Sequence, residues 1–242
     1  MRVAILSDVH ANLEALLSVR DHARRLGADE VWVLGDLVGY GADPAPVLDI
    51  VKEMGTRVLC GNHDLAAIER FDVSWFNDAA AQAIRWTQEQ LGEKGNEYLS
   101  SLEPRLEDGA LLVHGSVRDP VAEYVVDVVS AGASFRDGSF DLCFFGHTHL
   151  PSVFALEGER VTGAMLSEGD PIRLRTGVRY LLNPGSVGQP RDGDPRASFM
   201  LYDDGVPEAV VHRVPYPVER AQEKIVAAGL PRWLAERLSI GE

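Results

Sequence analysis

Five short blocks of metal-capable side chains punctuate the 242-residue chain, each just after a short apolar run. They read Asp8-Val9-His10, Gly35-Asp36, Gly61-Asn62-His63-Asp64, His114-Gly115 and Gly146-His147-Thr148-His149. Five of the seven histidines fall in these blocks; only His22 and His212 lie outside, and both read as structural. Imidazole and carboxylate together suit intermediate first-row ions such as manganese, iron, cobalt and zinc, whereas magnesium and calcium prefer oxygen alone. Two ions about 3.5–4 Å apart need a shared ligand, and a carboxylate has two oxygens to share. Asp36, alone at the end of the second run, is the candidate bridge. Asp8, His10 and a later histidine would complete one shell, and Asn62, His114 and another histidine the other. The neutral carbonyl oxygen of Asn62 would leave the ions' charge available to an anionic substrate.

Such blocks need strands to present them. The runs at 3–6, 31–34, 58–60, 111–113 and 142–145 are strand candidates, and ligands at successive strand exits are how an α/β sheet builds a site along one edge. Asp8-x-His10 and His147-x-His149 would put two side chains on one side of an extended segment. Gly35, Gly61 and Gly146 precede ligands, where a missing Cβ permits close backbone approach. Helical spacing over 12–26, with Leu13, Leu16, Leu17 and Ala23 on one face, ends at Gly27. Asp43-Pro44 opens a second helix with Val47, Leu48, Val51 and Met54 on its stripe, closed by Gly55. This alternation predicts a largely parallel sheet with right-handed crossovers.

Residues 65–103 form a helical insertion, with Ala80, Ala83, Ile84 and Leu91 marking a helix over 77–91 that either overhangs the site or packs on the sheet. After residue 150, strand candidates at 152–156, 180–182, 198–202 and 209–214 follow one another without helices, which predicts an antiparallel second sheet. The tail over 217–238 is helical, broken at Gly229-Leu230-Pro231, and its stripe of Leu230, Trp233, Leu234 and Leu238 is expected to dock on the chain's own core. One domain over 1–242 is expected, with the insertion at about 65–103 and the tail at about 217–242.

The bulk properties exclude several classes. A net charge of −14 opposes binding of long nucleic acids, which depends on clustered Lys and Arg. No apolar stretch is long enough to span a bilayer, and the amino end is too short for a leader, so the cytoplasm is the expected location. Cys60 and Cys143 lie in apolar runs and read as core residues.

Together the blocks resemble the calcineurin-like metallophosphoesterase superfamily, whose pattern is D-x-H, G-D, G-N-H-D/E, H and G-H-x-H in that order; the small bacterial phosphodiesterase-like members also carry a segment similar to Asn183-Pro184-Gly185-Ser186-Val187. The resemblance implies an α/β (α+β) fold, a four-layer sandwich of two mixed β-sheets flanked by helices. It implies a dinuclear centre of divalent transition-metal ions, manganese first, with iron, zinc, cobalt or nickel as alternatives. Asp8, His10, Asp36 and His149 would hold one ion, and Asp36, Asn62, His114 and His147 the other. His63 would be the general acid that protonates the leaving group during in-line attack by a hydroxide held by the ions.

Departures from the pattern bear on substrate. Protein phosphatases and symmetric dinucleoside-tetraphosphate hydrolases share G-D-x-V-x-R-G; here Tyr40 stands where the arginine would be, and Gly39 where the protein phosphatases have an aspartate that orients the histidine. Asp64 is expected to support the site from behind, either orienting His63 or bracing its loop. Arg191 is the replacement anion contact, unless it pairs with Asp192 or Asp194 in a polar turn; Tyr40 contacts a base or leaving group, or simply packs. The function implied is hydrolysis of small phosphodiesters or nucleotides. The alternatives are an asymmetric dinucleoside polyphosphate hydrolase and, on the precedent of the retromer subunit with this fold, a non-catalytic protein-binding scaffold.

Overall fold

Strand β1 (Arg2–Leu6) is apolar at every position but its first, because both of its faces are covered. The computed structural model describes residues 1–242. In chain order β1 is followed by α1 (Leu13–Arg25), β2 (Glu30–Val33), α2 (Pro44–Met54), β3 (Arg57–Val58), α3 (Asn62–Ala67), a 3-10 turn (Val73–Trp75) and α4 (Asp78–Ser100). Then come β4 (Arg105–Asp108), β5 (Ala110–Val113), α5 (Val128–Asp137), β6 (Leu142–Phe144), β7 (Ser152–Glu157), β8 (Arg160–Met165), β9 (Pro171–Arg173) and β10 (Val178–Asn183). The chain closes with β11 (Ala197–Asp203), β12 (Glu208–Val214), α6 (Val218–Ala227), α7 (Arg232–Glu236) and a second 3-10 turn (Arg237–Ser239).

The strands make two six-stranded mixed sheets, ordered β3-β2-β1-β11-β12-β9 and β4-β5-β6-β10-β7-β8. Strands β1, β2 and β3 run parallel in the first, and β5, β6 and β10 run parallel in the second. Three apolar layers alternate with the sheets. Val3, Ile5, Trp32 and Leu34 face Leu112, Phe144 and Leu182 across the middle. Ala4 and Leu6 face the helices, including Leu16 and Val19 of α1 and Leu234 of the tail. Leu111, Val113 and Phe145 pack outward against Phe135 of α5. The period-two alternation of one strand thus feeds two cores.

Two expectations need correction. The ligand-bearing strands do not share one sheet: β1 to β3 belong to the first, and β5 and β6 to the second. Nor do the late strands form an antiparallel sheet of their own. β11, β12 and β9 extend the first sheet beside β1, while β7, β8 and β10 join the second. Local pattern identifies a strand but carries no information on which of the two sheets it joins. The short strands β4, β8 and β9 leave no apolar run in the sequence, because they are largely exposed.

Helix ends follow their caps. The Asn12 side chain accepts from Ala15 N at 3.1 Å to start α1, and Asn77 accepts from Ala80 N at 3.0 Å to start α4. α4 runs past the expected end at 91 to Ser100, with a kink at Gly92. Asp43 precedes α2 but makes no capping hydrogen bond; its carboxylate instead holds Lys224 of α6 at 2.6 Å. That ion pair, with Lys224 to the buried Glu14 at 2.7 Å, ties the tail to the body. Leu230, Leu234 and Leu238 are buried there, while Trp233 stays half exposed. No helix is long and apolar enough to cross a membrane.

Candidate metal centre

Three of the five blocks turn sharply on leaving their strands. Asp8, His10, Asp36, His147 and His149 all have positive φ, between 49° and 65°. The expected extended arrangement of Asp8-x-His10 and His147-x-His149 is therefore wrong: these residues sit in left-handed turns. Non-glycine residues rarely take this conformation, which costs on the order of 1–3 kcal/mol each and persists where the surroundings over-determine it. Glycine allows the loops to meet. A Cβ on Gly35 would stand 2.6 Å from Gly61 N, so the β2 and β3 exits touch backbone to backbone.

The turns gather the side chains into overlapping groups. Asp8, His10 and His149 have ligand atoms within 4.8 Å of one another, as do Asp36, His114 and His147. Asp36 lies between the groups, its Oδ2 3.7 Å from His10 Nε2 and 3.3 Å from His114 Nε2. Asn62 Oδ1 is 3.2 Å from His114 Nε2. All seven residues are buried.

Whether these residues suit a metal can be judged from their outer hydrogen bonds. His10 Nδ1 donates to Val38 O at 3.1 Å, His114 Nδ1 to Leu34 O at 2.9 Å, and His149 Nδ1 to Gln189 O at 2.6 Å. His147 is turned the other way, Nε2 donating to Ala122 O at 3.0 Å. A carbonyl can only accept, so each ring's proton is fixed on its far nitrogen and the near one is aimed at the cluster. Asp8 Oδ1 is buried without a hydrogen-bond partner, 3.2 Å from His149 Nε2. Such an orphan inside a buried polar cluster calls for a cation. The donor set fits a pair of divalent ions.

The electrostatics agree. Burial works against the Asp8 carboxylate, but His149 and His114 hold it below the usual range. Burial also opposes Asp36, and His114 and His63 hold it down. Burial pushes His147 down to about 3 and, with His63 beside it, His10 well below its ordinary value. Burial and then Arg191 lower His149. His114 is the exception: burial lowers it, but Asp36 raises it to about 9.

His63 makes a third such group with His10 and Asp36, the one that links the other two. Its backbone N–H donates to Asp36 Oδ1 at 2.9 Å, while its ring packs against His10, Tyr40 and Phe76 at centroid distances of 4.8, 4.5 and 4.8 Å. Its Nδ1 has no partner and lies over Gly39, leaving the other nitrogen as the one available to the cavity. Burial pushes the ring down to about 4, with Asp36 opposing, rather than leaving it near neutrality. A phosphoryl anion beside it would act in the opposite sense. No carboxylate orients the ring. Asp64 instead accepts from Leu37 N, Val38 N and Gly61 N at 2.9, 3.1 and 3.0 Å, which braces the loop under Asp36.

A cavity of about 170 Å³ opens above the cluster, lined by Asp36, Asn62, His63, His147 and His149 and by Tyr40 and Arg191. Arg191 has no carboxylate partner: Asp192 pairs with Arg213, and Asp194 with Arg196 at 2.6 Å. Its Nη2 donates to Gln189 Oε1 at 3.0 Å and to the Tyr40 hydroxyl at 3.4 Å, and its Nε is buried without a partner. The polar-turn alternative for Arg191 is thereby removed.

Other contributors left little trace in sequence. The carbonyls of Leu34, Val38, Ala122 and Gln189 carry no residue signature. Tyr124 stacks on His147 at 3.9 Å and lines the same cavity, as do Phe71, Trp75 and Phe76 from the insertion, whose cluster of aromatics was the available signal. Asn183 donates to Gly146 O at 2.8 Å and Ser186 Oγ to Asp8 O at 2.8 Å, so the β10 exit locks the two ligand loops together. His22 and His212 lie away from the cluster, packed against each other and against Phe199.

Comparison with known proteins places this geometry. Residues 1–204 match the calcineurin-like phosphoesterase superfamily domain. The chain is similar to a metallophosphoesterase of known structure from Sphaerobacter thermophilus, at 40% identity and a TM-score of 0.89, over 100% of this chain and 99% of that one. An uncharacterized protein of Methanocaldococcus jannaschii is 36% identical over 99% of this chain and 98% of its own length. A local likeness of 35% identity over 68 residues, 27% of this chain and 25% of the relative, links it to a symmetrical bis(5'-nucleosyl)-tetraphosphatase of Psychromonas ingrahamii.

Proposed function

The chain belongs to the calcineurin-like phosphoesterase superfamily and is a metal-dependent phosphoester hydrolase, and we propose that its substrates are small phosphodiesters or nucleotides, cleaved with His63 as general acid. The observation that carries the reading is the pair of ligand groups meeting at Asp36, beside a cavity that holds His63 and Arg191. Asp8, His10, Asp36 and His149 would hold one ion, and Asp36, Asn62, His114 and His147 the other. Two divalent ions, when bound, lower the pKa of a water nucleophile and neutralise charge on the phosphoryl oxygens. Imidazole–carboxylate shells suit manganese, with iron, zinc, cobalt and nickel as alternatives.

The chain's own groups do the rest. Arg191, free of carboxylates, pairs with a phosphoryl oxygen of the substrate. His63 donates its proton to the departing oxygen as the phosphorus–oxygen bond breaks and the new bond to water's oxygen forms on the opposite side. Tyr40, buried between His10 and His63, fixes the ring by packing where a carboxylate would otherwise do so. Asp64 holds the loop from which Asp36 projects. Two buried free thiols, Cys60 and Cys143, agree with residence in a reducing cytoplasm.

Purified protein supplied with manganese is expected to hydrolyse bis(p-nitrophenyl) phosphate, whose leaving group needs no proton, and on a diester with an alkoxide leaving group His63→Ala is expected to lower turnover by roughly 10²–10⁴. Wild-type turnover in that variant would remove His63 from the role.

A dinucleoside polyphosphate is the second reading, favoured by the local likeness to a symmetrical tetraphosphatase. Tyr40 in place of the arginine of those enzymes argues for asymmetric cleavage. Unequal nucleotide products from diadenosine tetraphosphate would support it, equal products would contradict the asymmetry, and no consumption would exclude it.

A further inference from the structure

We propose that Phe76, Phe71 and Trp75 form a stacking subsite for a nucleobase carried on the leaving group, so that the departing alcohol is a nucleoside. This rests on the phosphoesterase reading above. The three rings continue a row that starts at the acid: His63 to Phe76 at 4.8 Å, Phe76 to Phe71 at 5.8 Å, and Phe71 to Trp75 at 6.3 Å between centroids. All four line the cavity whose other walls include Asp36, Asn62, His147, His149 and Arg191.

Trp75 is 79% exposed, the most exposed of the chain's large apolar side chains. A water-facing indole forgoes the stabilisation of burial, so an exposed apolar wall beside a reactive cavity marks a binding surface. The wall is also held still. Asp72 Oδ1 accepts from Ser74 N at 2.8 Å, Phe76 N donates to Val73 O at 3.1 Å, and Asn77 caps α4 immediately afterwards. A ring presented on a capped turn loses little freedom when a ligand stacks on it. Across the cavity Tyr124, half exposed and stacked on His147, offers a second flat face.

The row also has a direction. The oxygen that His63 protonates belongs to the leaving group, and the groups next to His63 along the row are Phe76, Phe71 and Trp75. The departing half of the substrate therefore meets the aromatic wall, while the retained phosphoryl group lies over the ligands towards Arg191. The wall brings no charge, so it suits the uncharged planar part of a nucleotide. Base–aromatic stacking of this kind contributes roughly tenfold to a hundredfold in affinity.

The test uses adenosine, ribose and inorganic phosphate as separate probes on the manganese-loaded protein, with intrinsic fluorescence and calorimetry as readouts and p-nitrophenyl phosphate hydrolysis measured in parallel. Adenosine is expected to bind and quench the fluorescence, ribose to do neither. Trp75→Ala should weaken adenosine roughly tenfold or more and leave phosphate affinity unchanged, and Trp75→Phe should restore much of the loss. Hydrolysis with no adenosine binding, or equal adenosine affinity in wild type and Trp75→Ala, would overturn the subsite and leave the hydrolase intact. Adenosine binding that depends on Trp75, without hydrolysis of any phosphoester, would support the subsite while sinking the hydrolase reading. If Trp75→Ala converts a dimer to a monomer on gel filtration without changing adenosine affinity, the row is an interface between copies and the proposal fails.

Discussion

Gly39 lies directly under the His63 ring, so close that a Cβ there would overlap Nδ1, and its own φ is +86°. The position occupied by an orienting aspartate in the protein phosphatases is here an absence of side chain, and the ring is held by contact alone. Gly39→Ala is expected to tilt His63 out of reach while sparing the ligands. Turnover should fall by roughly 10² or more, towards that of His63→Ala, with two metal equivalents still bound. Elemental analysis beside steady-state kinetics would check it. Lost metal with lost activity would mean that the loop, not the ring, had moved.

Arg191 is expected to act through binding. Removing a charge-assisted hydrogen bond costs about 1.5–3 kcal/mol, so Arg191→Ala should raise KM by roughly tenfold to a hundredfold with a smaller change in kcat. Product inhibition by inorganic phosphate should weaken in parallel. A variant with unchanged phosphate inhibition would show that Arg191 only props Tyr40.

Asp64 is fully buried and accepts three backbone N–H groups. Asp64→Ala leaves those donors unpaired. It is expected to destabilise the fold by about 3 kcal/mol or more, lowering Tm by roughly 6–12 °C for a chain of this size. Thermal unfolding in chelator would measure this apart from any loss of metal. A Tm within a degree of wild type would mean that water replaces the carboxylate.

Metal uptake should depend on pH through His114. Burial lowers its pKa, but Asp36 carries it from 6.5 up to about 9. With the folded value above the unfolded one, the pair stabilises chelator-treated protein fully below pH 6.5, and the contribution is lost as pH rises through about 9. An ion on Nε2 must expel that proton, so manganese affinity is expected to strengthen with pH over this window, by up to about tenfold per unit. Competition against a chelator at pH 6.5, 7.5 and 8.5 would report it. A flat profile would show that His114 is already neutral.

The convergence of the cluster was legible because metal-capable residue types recur at strand exits, and the side chains of Asp8, His10, Asp36, Asn62, His114, His147 and His149 do come together. The left-handed turns at Asp8, His10, Asp36, His147 and His149 were not, since φ has no signature in Asp or His as it has in glycine. Strands β7, β10, β11 and β12 were visible from alternation, yet their division between two sheets depends on contacts far apart in sequence. Tyr124 left no sign because an isolated aromatic in a polar segment looks the same whether it rims a cavity or not, whereas Trp75 stands in the aromatic cluster Phe71-x-x-x-Trp75-Phe76, whose position over the cavity depends on how the insertion folds back. The freedom of Arg191 could only be seen once Asp192 and Asp194 had found other arginines.

Asp8, Asp36 and Asn62 leave the first sheet, whereas His114, His147 and His149 leave the second. The apolar layer of Ile5, Leu34, Leu112 and Phe144 between them is therefore a calliper. Facing sheets sit about 10 Å apart, and the thickness of that layer sets how far the side chains leaving one sheet stand from those leaving the other. A methylene added or removed there is expected to shift the two halves of the cluster against each other without touching any of its side chains, which would tie the middle of this molecule to its chemistry.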